Sequence, residues 1–326
     1  MIRPFSWRDL PALHRYRQRG LFLDSAQALT RGQSLVPTGA LLASMVSTTG
    51  LYTYVGAEKG SGVGPLFAQA MHTAGASLAR LTFLAPESAM ETGNWPALLD
   101  HLCKEIGKVG AFHLLAEVDE CISAFQALHE ASFAIYARQR IWKIKGSAKD
   151  AGSLPYWRPS VPRDQIGVRT LYNNLVPGLV QQVEPLPKEH AKGLVCYRNG
   201  DLLAYVDLRF GPVGIWAQPF IHPDAVDLAG DVVSLLLGLP NRRGRPVYLC
   251  VRSYQCWLEP AIEEAGAAAG DSQAVMVRHL ARLVRSLEPY AVPAMNGTRA
   301  EPIAHMVDGR NLTTASHPPA DRGAKQ

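Results

Sequence analysis

The sequence has no long apolar run. None of its stretches approaches the ~18 residues that a membrane-spanning helix needs, and it opens on a folded-looking segment, so neither membrane insertion nor export is expected. Cysteine is scarce: the five residues Cys103, Cys121, Cys196, Cys250 and Cys256 include no pair at zinc or redox spacing. That excludes a disulfide framework, predicts buried free thiols and makes a cytoplasmic location the expectation. Charge of one sign is lacking too. The net charge of +5 divides as +3 over residues 1–150, +2 over 151–285 and zero beyond. No half carries the basic excess of a nucleic-acid binder. Arg138, Arg140, Lys143 and Lys145, and the run Asn241-Arg242-Arg243-Gly244-Arg245, are read as solvated surface. Charged residues make up 19% of the 326 residues and hydrophobic ones 47%, enough to bury two cores of ordinary domain size.

What is present is organised around GAFHLLAEVDECISAFQALHEASFAIYARQRIW at 110–142, which reads as strand, helix and closing strand. Phe112 to Val118 is apolar nearly throughout, as in a strand buried on both faces, and Ala134 to Trp142 is the second strand. A variant of the unit recurs near the other end: Leu115, Ala131 and Phe133 correspond to Leu249, Ala265 and Ala267, and Ala134-Ile135-Tyr136-Ala137-Arg138 to Ala274-Val275-Met276-Val277-Arg278. The openings repeat as well, with Arg3-Pro4 and Arg8-Asp9 returning as Arg158-Pro159 and Arg163-Asp164. A long period whose offset differs at its two ends means two copies of one domain. The expected division is domain 1 over 1–145, a linker over 146–157, domain 2 over 158–285, and a disordered tail over 286–326.

Within the first copy, residues 7–29 read as two helical pieces broken at Gly20, followed by strands at Gly50–Glu58, Leu66–Met71 and Ala79–Ala85. KGSGVG at 59–64 lies between strands and is read as a hairpin turn, since a phosphate loop should precede a helix. Asn94 caps a helix whose Leu98, Leu99, Leu102 and Ile106 face the core. In the second copy Asp164 caps a helix, Asn199-Gly200 turns one strand into the next, and a helix at Leu228–Leu239 precedes the repeated unit.

This order of elements resembles the GNAT-type N-acetyltransferases, as a tandem pair over residues 1–285. IRPFSWRDLPAL and WRPSVPRD are similar to the family's usual opening, and FIHPDA at 220–225 to the end of its fourth strand. Ser132-Phe133 approximates a Gly-Phe pair that often ends the helix after the fifth strand. The resemblance implies an α/β (α+β) fold of two GNAT-like domains, each a mixed, mostly antiparallel sheet flanked by helices. It also implies acetyl-CoA as cofactor. Pantetheine would enter the wedge where the fourth and fifth strands splay and pair with fourth-strand backbone, here Phe83, Leu84 and Ala85 or Phe220 and Ile221. Pyrophosphate would lie on helix N-terminal amides.

The family's Gln/Arg-x-x-Gly-x-Gly/Ala motif is missing from both halves. Pro86-Glu87-Ser88-Ala89-Met90-Glu91 and Val226-Asp227-Leu228-Ala229-Gly230-Asp231 stand in its place, and their carboxylates repel a pyrophosphate. The cofactor motifs are therefore degenerate, and weak acetyl-CoA binding is expected. The family's tyrosine acid falls at Leu128 and Ile262. Two residues are candidates for catalysis. Glu117 sits inside a buried strand, where desolvation favours proton uptake, although a structural role such as pairing with an arginine is the favoured reading. Tyr254, just past the matching second strand, could replace the missing acid or serve the core. His129 and His222 have no partners at ligand spacing, so no metal is expected, and Cys250 reads as a buried thiol. The resemblance implies an acyl-CoA-dependent N-acetyltransferase acting on a small-molecule or peptide amine. The alternative is a catalytically degenerate binding or scaffold protein, and a third is nucleic-acid binding through Arg242-Arg243-Gly244-Arg245. The oligomeric state is not legible.

Overall fold

The computed structural model describes residues 1–16, 19–33, 49–57, 64–145, 156–186, 192–240 and 242–280. The first half runs β1 (Ile2–Pro4), a 3₁₀ turn, α1 (Leu10–Tyr16), β2 (Leu21–Phe22), α2 (Ser25–Arg31), β3 (Thr49–Gly56), β4 (Leu66–Thr73), β5 (Leu78–Ala85), α3 (Trp95–Lys108), β6 (His113–Asp119), α4 (Ser123–Glu130) and β7 (Ala134–Ile144). The second runs β8 (Trp157–Pro159), α5 (Gln165–Leu175), α6 (Gly178–Val183), β9 (Gly193–Arg198), β10 (Asp201–Phe210), β11 (Ile215–Ile221), α7 (Leu228–Leu237), β12 (Val247–Arg252), α8 (Glu259–Glu264) and β13 (Ala268–His279).

Local chemistry explains the ends of these elements. The Asn94 side chain accepts the Ala97 N–H, and Pro96 loses nothing in the first turn of α3, whose Leu98, Leu99, Leu102 and Ile106 are buried. Asn199 and Gly200 both adopt positive φ, the geometry of a two-residue hairpin between β9 and β10. The two openings are built alike. Arg3 grips Asp9 with two hydrogen bonds of 2.6 Å, and Arg158 grips Asp164 with two of 2.7 Å. Each carboxylate also accepts a backbone N–H three residues upstream, from Ser6 and from Val161.

Residues Met1–Leu283 form one compact unit, and the sheet runs through it without a break. Among the described residues its order is β1-β3-β4-β5-β6-β13-β7-β12-β11-β10-β9-β8, with β2 attached to β5. The centre corrects an expectation. Ala134–Trp142 does not close its own unit: β13 lies between β6 and β7, pairing Gln273–His279 with Asp119–His113, while β7 pairs with β12 of the second half. The halves have exchanged their last strands. Ala274 and Met276 of β13 therefore sit in the first core with Trp95, Leu99 and Leu114, and Trp142 and Ile144 of β7 sit in the second with Val232, Leu236 and Leu249. A third cluster, with Leu115, Ala137 and Val275 against Leu171, Tyr172 and Val180, is built from both halves.

Residues 7–29 also differ from expectation. Leu21 and Phe22 are a strand rather than helix, because β5 offers them an unpaired edge. The KGSGVG turn except Gly64, nearly all of the expected linker, and the tail lie outside the described residues.

Candidate functional site

In each half the two parallel strands pair only at their beginnings: Leu78–Arg80 with His113–Leu115, and Ile215–Ala217 with Val247–Leu249. Beyond those residues they splay. The first splay is filled by the chain itself. Leu21 and Phe22 pair with Leu84 and Phe83, whose other edge is taken by Ala68 and Gln69 of β4. The Leu23 N–H then donates to Thr82 O at 3.1 Å, and Leu23 O accepts from the Glu117 N–H at 2.8 Å. The plug bridges β5 to β6. Gly20 permits its entry, since a Cβ there would lie 2.2 Å from the Phe83 ring.

Beneath the plug lies a buried group of charges. Glu117, 2% exposed, accepts from Ser25 N–H at 2.9 Å and from Arg80 at 3.2 Å. Arg80 also donates to Glu184 of the second half at 2.9 Å, and Arg252 donates to the same carboxylate at 2.9 and 3.2 Å. The Tyr136 hydroxyl completes its shell. Burial alone would raise the Glu184 carboxyl, but Arg252 and Arg80 hold it down at about 2. Burial pushes the Tyr136 hydroxyl up, with the Glu184 charge adding to it, so it stays a donor. Asp24 is raised, mainly by burial, and its side chain accepts the Gln27 N–H at the start of α2. Arg252 is 4% exposed, and its Nε and Nη1 have no hydrogen-bond partner among the described residues.

The second splay stays open on one face of the sheet. A cavity of about 670 Å3 lies there, lined by Arg80 and the Gly75–Leu78 hairpin from the first half. From the second half it takes Tyr172, Val180, Glu184, Asp207, Arg209, Gln218, Phe220 and Tyr254. The rim of β11 is altered, however. Ile215 donates its N–H toward β12, to Pro246 O at 3.0 Å, and β11 pairs with β10 without a register shift. Strand alternation therefore aims the backbone groups of residues 217, 219 and 221 into the splay and those of 218 and 220 at β10. Residue 219 is proline and has no N–H to offer. The Ile221 carbonyl is already occupied, accepting from Gln255 Nε2 at 3.2 Å.

No protein-family profile matches the sequence, and no curated protein does. Solved structures do match. A GCN5-related N-acetyltransferase from Sphaerobacter thermophilus superposes with a TM-score of 0.53 at 12% identity, over 87% of this chain and 97% of that one. This chain has the GNAT fold. A tandem GNAT protein from the clavulanic acid biosynthesis pathway matches with a TM-score of 0.47 at 16% identity, over 86% of this chain and 98% of its own. An acetyltransferase from the GNAT family of Colwellia psychrerythraea matches with a TM-score of 0.44 at 12% identity, over 86% and 99%.

Set in the GNAT fold, the residues expected to meet pantetheine are engaged elsewhere. Phe83 and Leu84 have both strand edges paired, Ala85 is buried against β4, Phe220 directs its backbone at β10, and Ile221 has given its carbonyl to Gln255. A further cavity of about 520 Å3 lies against the plug, lined by Leu21, Phe22, Ser25, Glu117, Asp119 and Ile122. Asp227, at the start of α7, is paired with Arg198, and Asp231 is raised by burial and by Asp227. Glu117 and Tyr254 are not brought together: Glu117 clamps the plug, whereas Tyr254 lines the cavity. Burial raises the Tyr254 hydroxyl, which makes no hydrogen bond among the described residues. Cys250 is buried and donates to Gln139 at 3.3 Å, and burial pushes its thiol up to about 12, which disfavours the thiolate. Among the described residues no three His, Cys, Asp or Glu side chains are placed to hold a metal, and no helix is long and apolar enough to cross a membrane.

Sequence reasoning missed Arg80, Glu184 and Arg252, and with them the junction of the halves. A signal existed for two of them. Each arginine is the lone charge in an otherwise apolar strand, ARLTFLA and VYLCVR, and a charge so placed requires a buried partner.

Proposed function

We propose that this GNAT-fold protein is a catalytically degenerate binding protein, with a structural first half and a ligand cavity in the second. One observation carries the reading: the splay of the first half is filled by Leu21–Ser25, hydrogen-bonded to both of its walls. Pro219 supports it for the second half. The family places a fourth-strand amide against the thioester carbonyl, and an amide at this position would be a preorganised donor to developing negative charge. Proline removes it.

The second reading, an N-acetyltransferase acting on an amine, draws on Tyr254, a protonated hydroxyl at the wall of a cavity large enough for a small acceptor. Release of free thiol from acetyl-CoA separates the two. Incubated with a panel of primary amines, the protein is expected to release no thiol above the uncatalysed rate. Turnover that Tyr254→Phe abolishes would establish the second reading.

A further inference from the structure

The cavity of the second half has an asymmetry in its hydrogen-bonding capacity. Its carboxylates are already served. Both Glu184 oxygens accept from arginine, Asp207 Oδ1 accepts from the Tyr205 hydroxyl at 3.1 Å, and Asp207 Oδ2 accepts from Arg209 Nε at 3.3 Å. Of the two arginines in the lining, Arg80 has both terminal nitrogens committed, to Glu117 and Glu184. Arg209 does not. Only its Nε is used, so the Nη1 and Nη2 edge carries no hydrogen bond among the described residues, and neither does the Tyr254 hydroxyl nor the Gln218 amide.

Three side chains with uncommitted donors thus line a space whose two carboxylates are each paired with arginine. An ammonium entering it would meet only carboxylates whose charge is already matched by an arginine, Asp207 by Arg209 and Glu184 by Arg80 and Arg252. A carboxylate would find a planar guanidinium edge, fixed by the bond of its Nε to Asp207, in the geometry that takes two parallel hydrogen bonds. The rest of the wall is apolar or aromatic, with Leu78, Val180, Leu186, Phe220 and the Tyr172 ring. Charge sets the upper limit. The two arginines of the lining balance its two carboxylates, so a monocarboxylate is held by directed hydrogen bonds rather than by net charge, whereas a phosphate dianion would be repelled by Asp207 and Glu184.

We propose that the cavity binds a small monocarboxylate with an apolar or aromatic body, its carboxylate paired with Arg209 and its body against Phe220, Val180 and Leu186. The inference rests on the reading of this cavity as a ligand site and specifies its ligand class, which is not the amine of the family's acceptors. Tyr254 and Gln218 supply further donors to the carboxylate oxygens, and the raised hydroxyl of Tyr254 remains protonated at neutral pH.

The test is a ligand-observed NMR titration of the full chain with phenylacetate, and in parallel with phenylacetamide and phenethylamine, which have the same body. Phenylacetate is expected to bind at least about tenfold more tightly than either, with Arg209→Gln weakening it by about tenfold or more and Arg209→Lys by less. Arg209 is half-exposed, so both variants are expected to fold, which unchanged thermal midpoints verify. Val180→Trp, which fills the cavity, is expected to abolish binding. Equal binding of acid and amide, an unaffected Arg209→Gln variant, or no binding of any of the three overturns the proposal. Binding of phenethylamine alone, lost in Val180→Trp, overturns it too but leaves the cavity as a ligand site. Thiol release from acetyl-CoA with an amine would instead contradict the binding-protein reading.

Discussion

The backbone N–H of Glu117 donates to the carbonyl of Leu23 across the space between β5 and β6. This bond fixes residues 21–25 in the splay between β5 and β6, where the resemblance to the GNAT family implied a cofactor. The Glu117 side chain holds the same segment, through the Ser25 N–H, and ties it to Arg80 and onward to Glu184. The plug is thus fastened to the junction of the halves.

Loosening it is expected to cost stability. Leu23→Ala removes a buried side chain from the core that holds Leu84 and Leu99 and should cost about 3 kcal/mol. Glu117→Gln leaves the Arg80 charge short of a partner in the interior and should cost a similar amount, about 3 kcal/mol. Urea unfolding followed by tryptophan fluorescence measures both. Losses below about 0.5 kcal/mol would mean that the plug is not seated.

Acid should act through the two opening clamps. Arg3 holds the Asp9 carboxyl at about 2, and Arg158 holds Asp164 well below the usual carboxylate range. A carboxyl lowered by folding adds stability that is complete above its unfolded value near 4 and is lost as pH falls through the folded one. The thermal midpoint should therefore drop between about pH 4 and pH 2. An Asp9→Asn, Asp164→Asn double variant should be less stable at pH 6 and show a shallower decline. Parallel curves for the two proteins would remove the clamps from the account.

A histidine pair gives a second pH dependence at the exchanged strand. His113 of β6 and His279 of β13 face each other with their Nδ1 atoms 3.0 Å apart, so one ring must be unprotonated at that atom. Burial lowers His113, and the neighbouring His279 lowers it further. A base lowered by folding favours the neutral form, so its stabilisation holds above the unfolded value of about 6.5 and is lost below it. Wild-type stability should fall from pH 7 to pH 5, and His279→Asn should flatten that limb. An unchanged slope would show that the pair does not report on the exchange.

Much of this architecture was legible because its signals are local. The Arg3 and Arg158 repeats, the Asn199-Gly200 turn, the Asn94 cap and the apolar run of β6 each carry their own reason to be where they are. The exchange of β7 and β13 was not legible. Ala134–Arg138 and Ala274–Arg278 read alike in the sequence, so the pattern alone does not say which strand pairs with β6 and which with β12. The plug was hidden because Leu21-Phe22-Leu23 continues an apolar rhythm that a helix also satisfies, and only the open edge of β5 decides for a strand. Of the site, Tyr254 was found at the cavity, but Arg209 was not, since nothing local marks an arginine in a strand as the one with free donors.

The central claim is that neither half receives acetyl-CoA on its fourth-strand backbone, and calorimetric titration of the full chain with acetyl-CoA tests it most directly. With the first splay plugged, and with Pro219, the Gln255 bond to Ile221 and the acidic start of α7 in the second, the dissociation constant should be no tighter than about 100 μM, near −5.5 kcal/mol. A dissociation constant of about 1 μM with a stoichiometry of one would contradict the account and place an intact cofactor site in this chain.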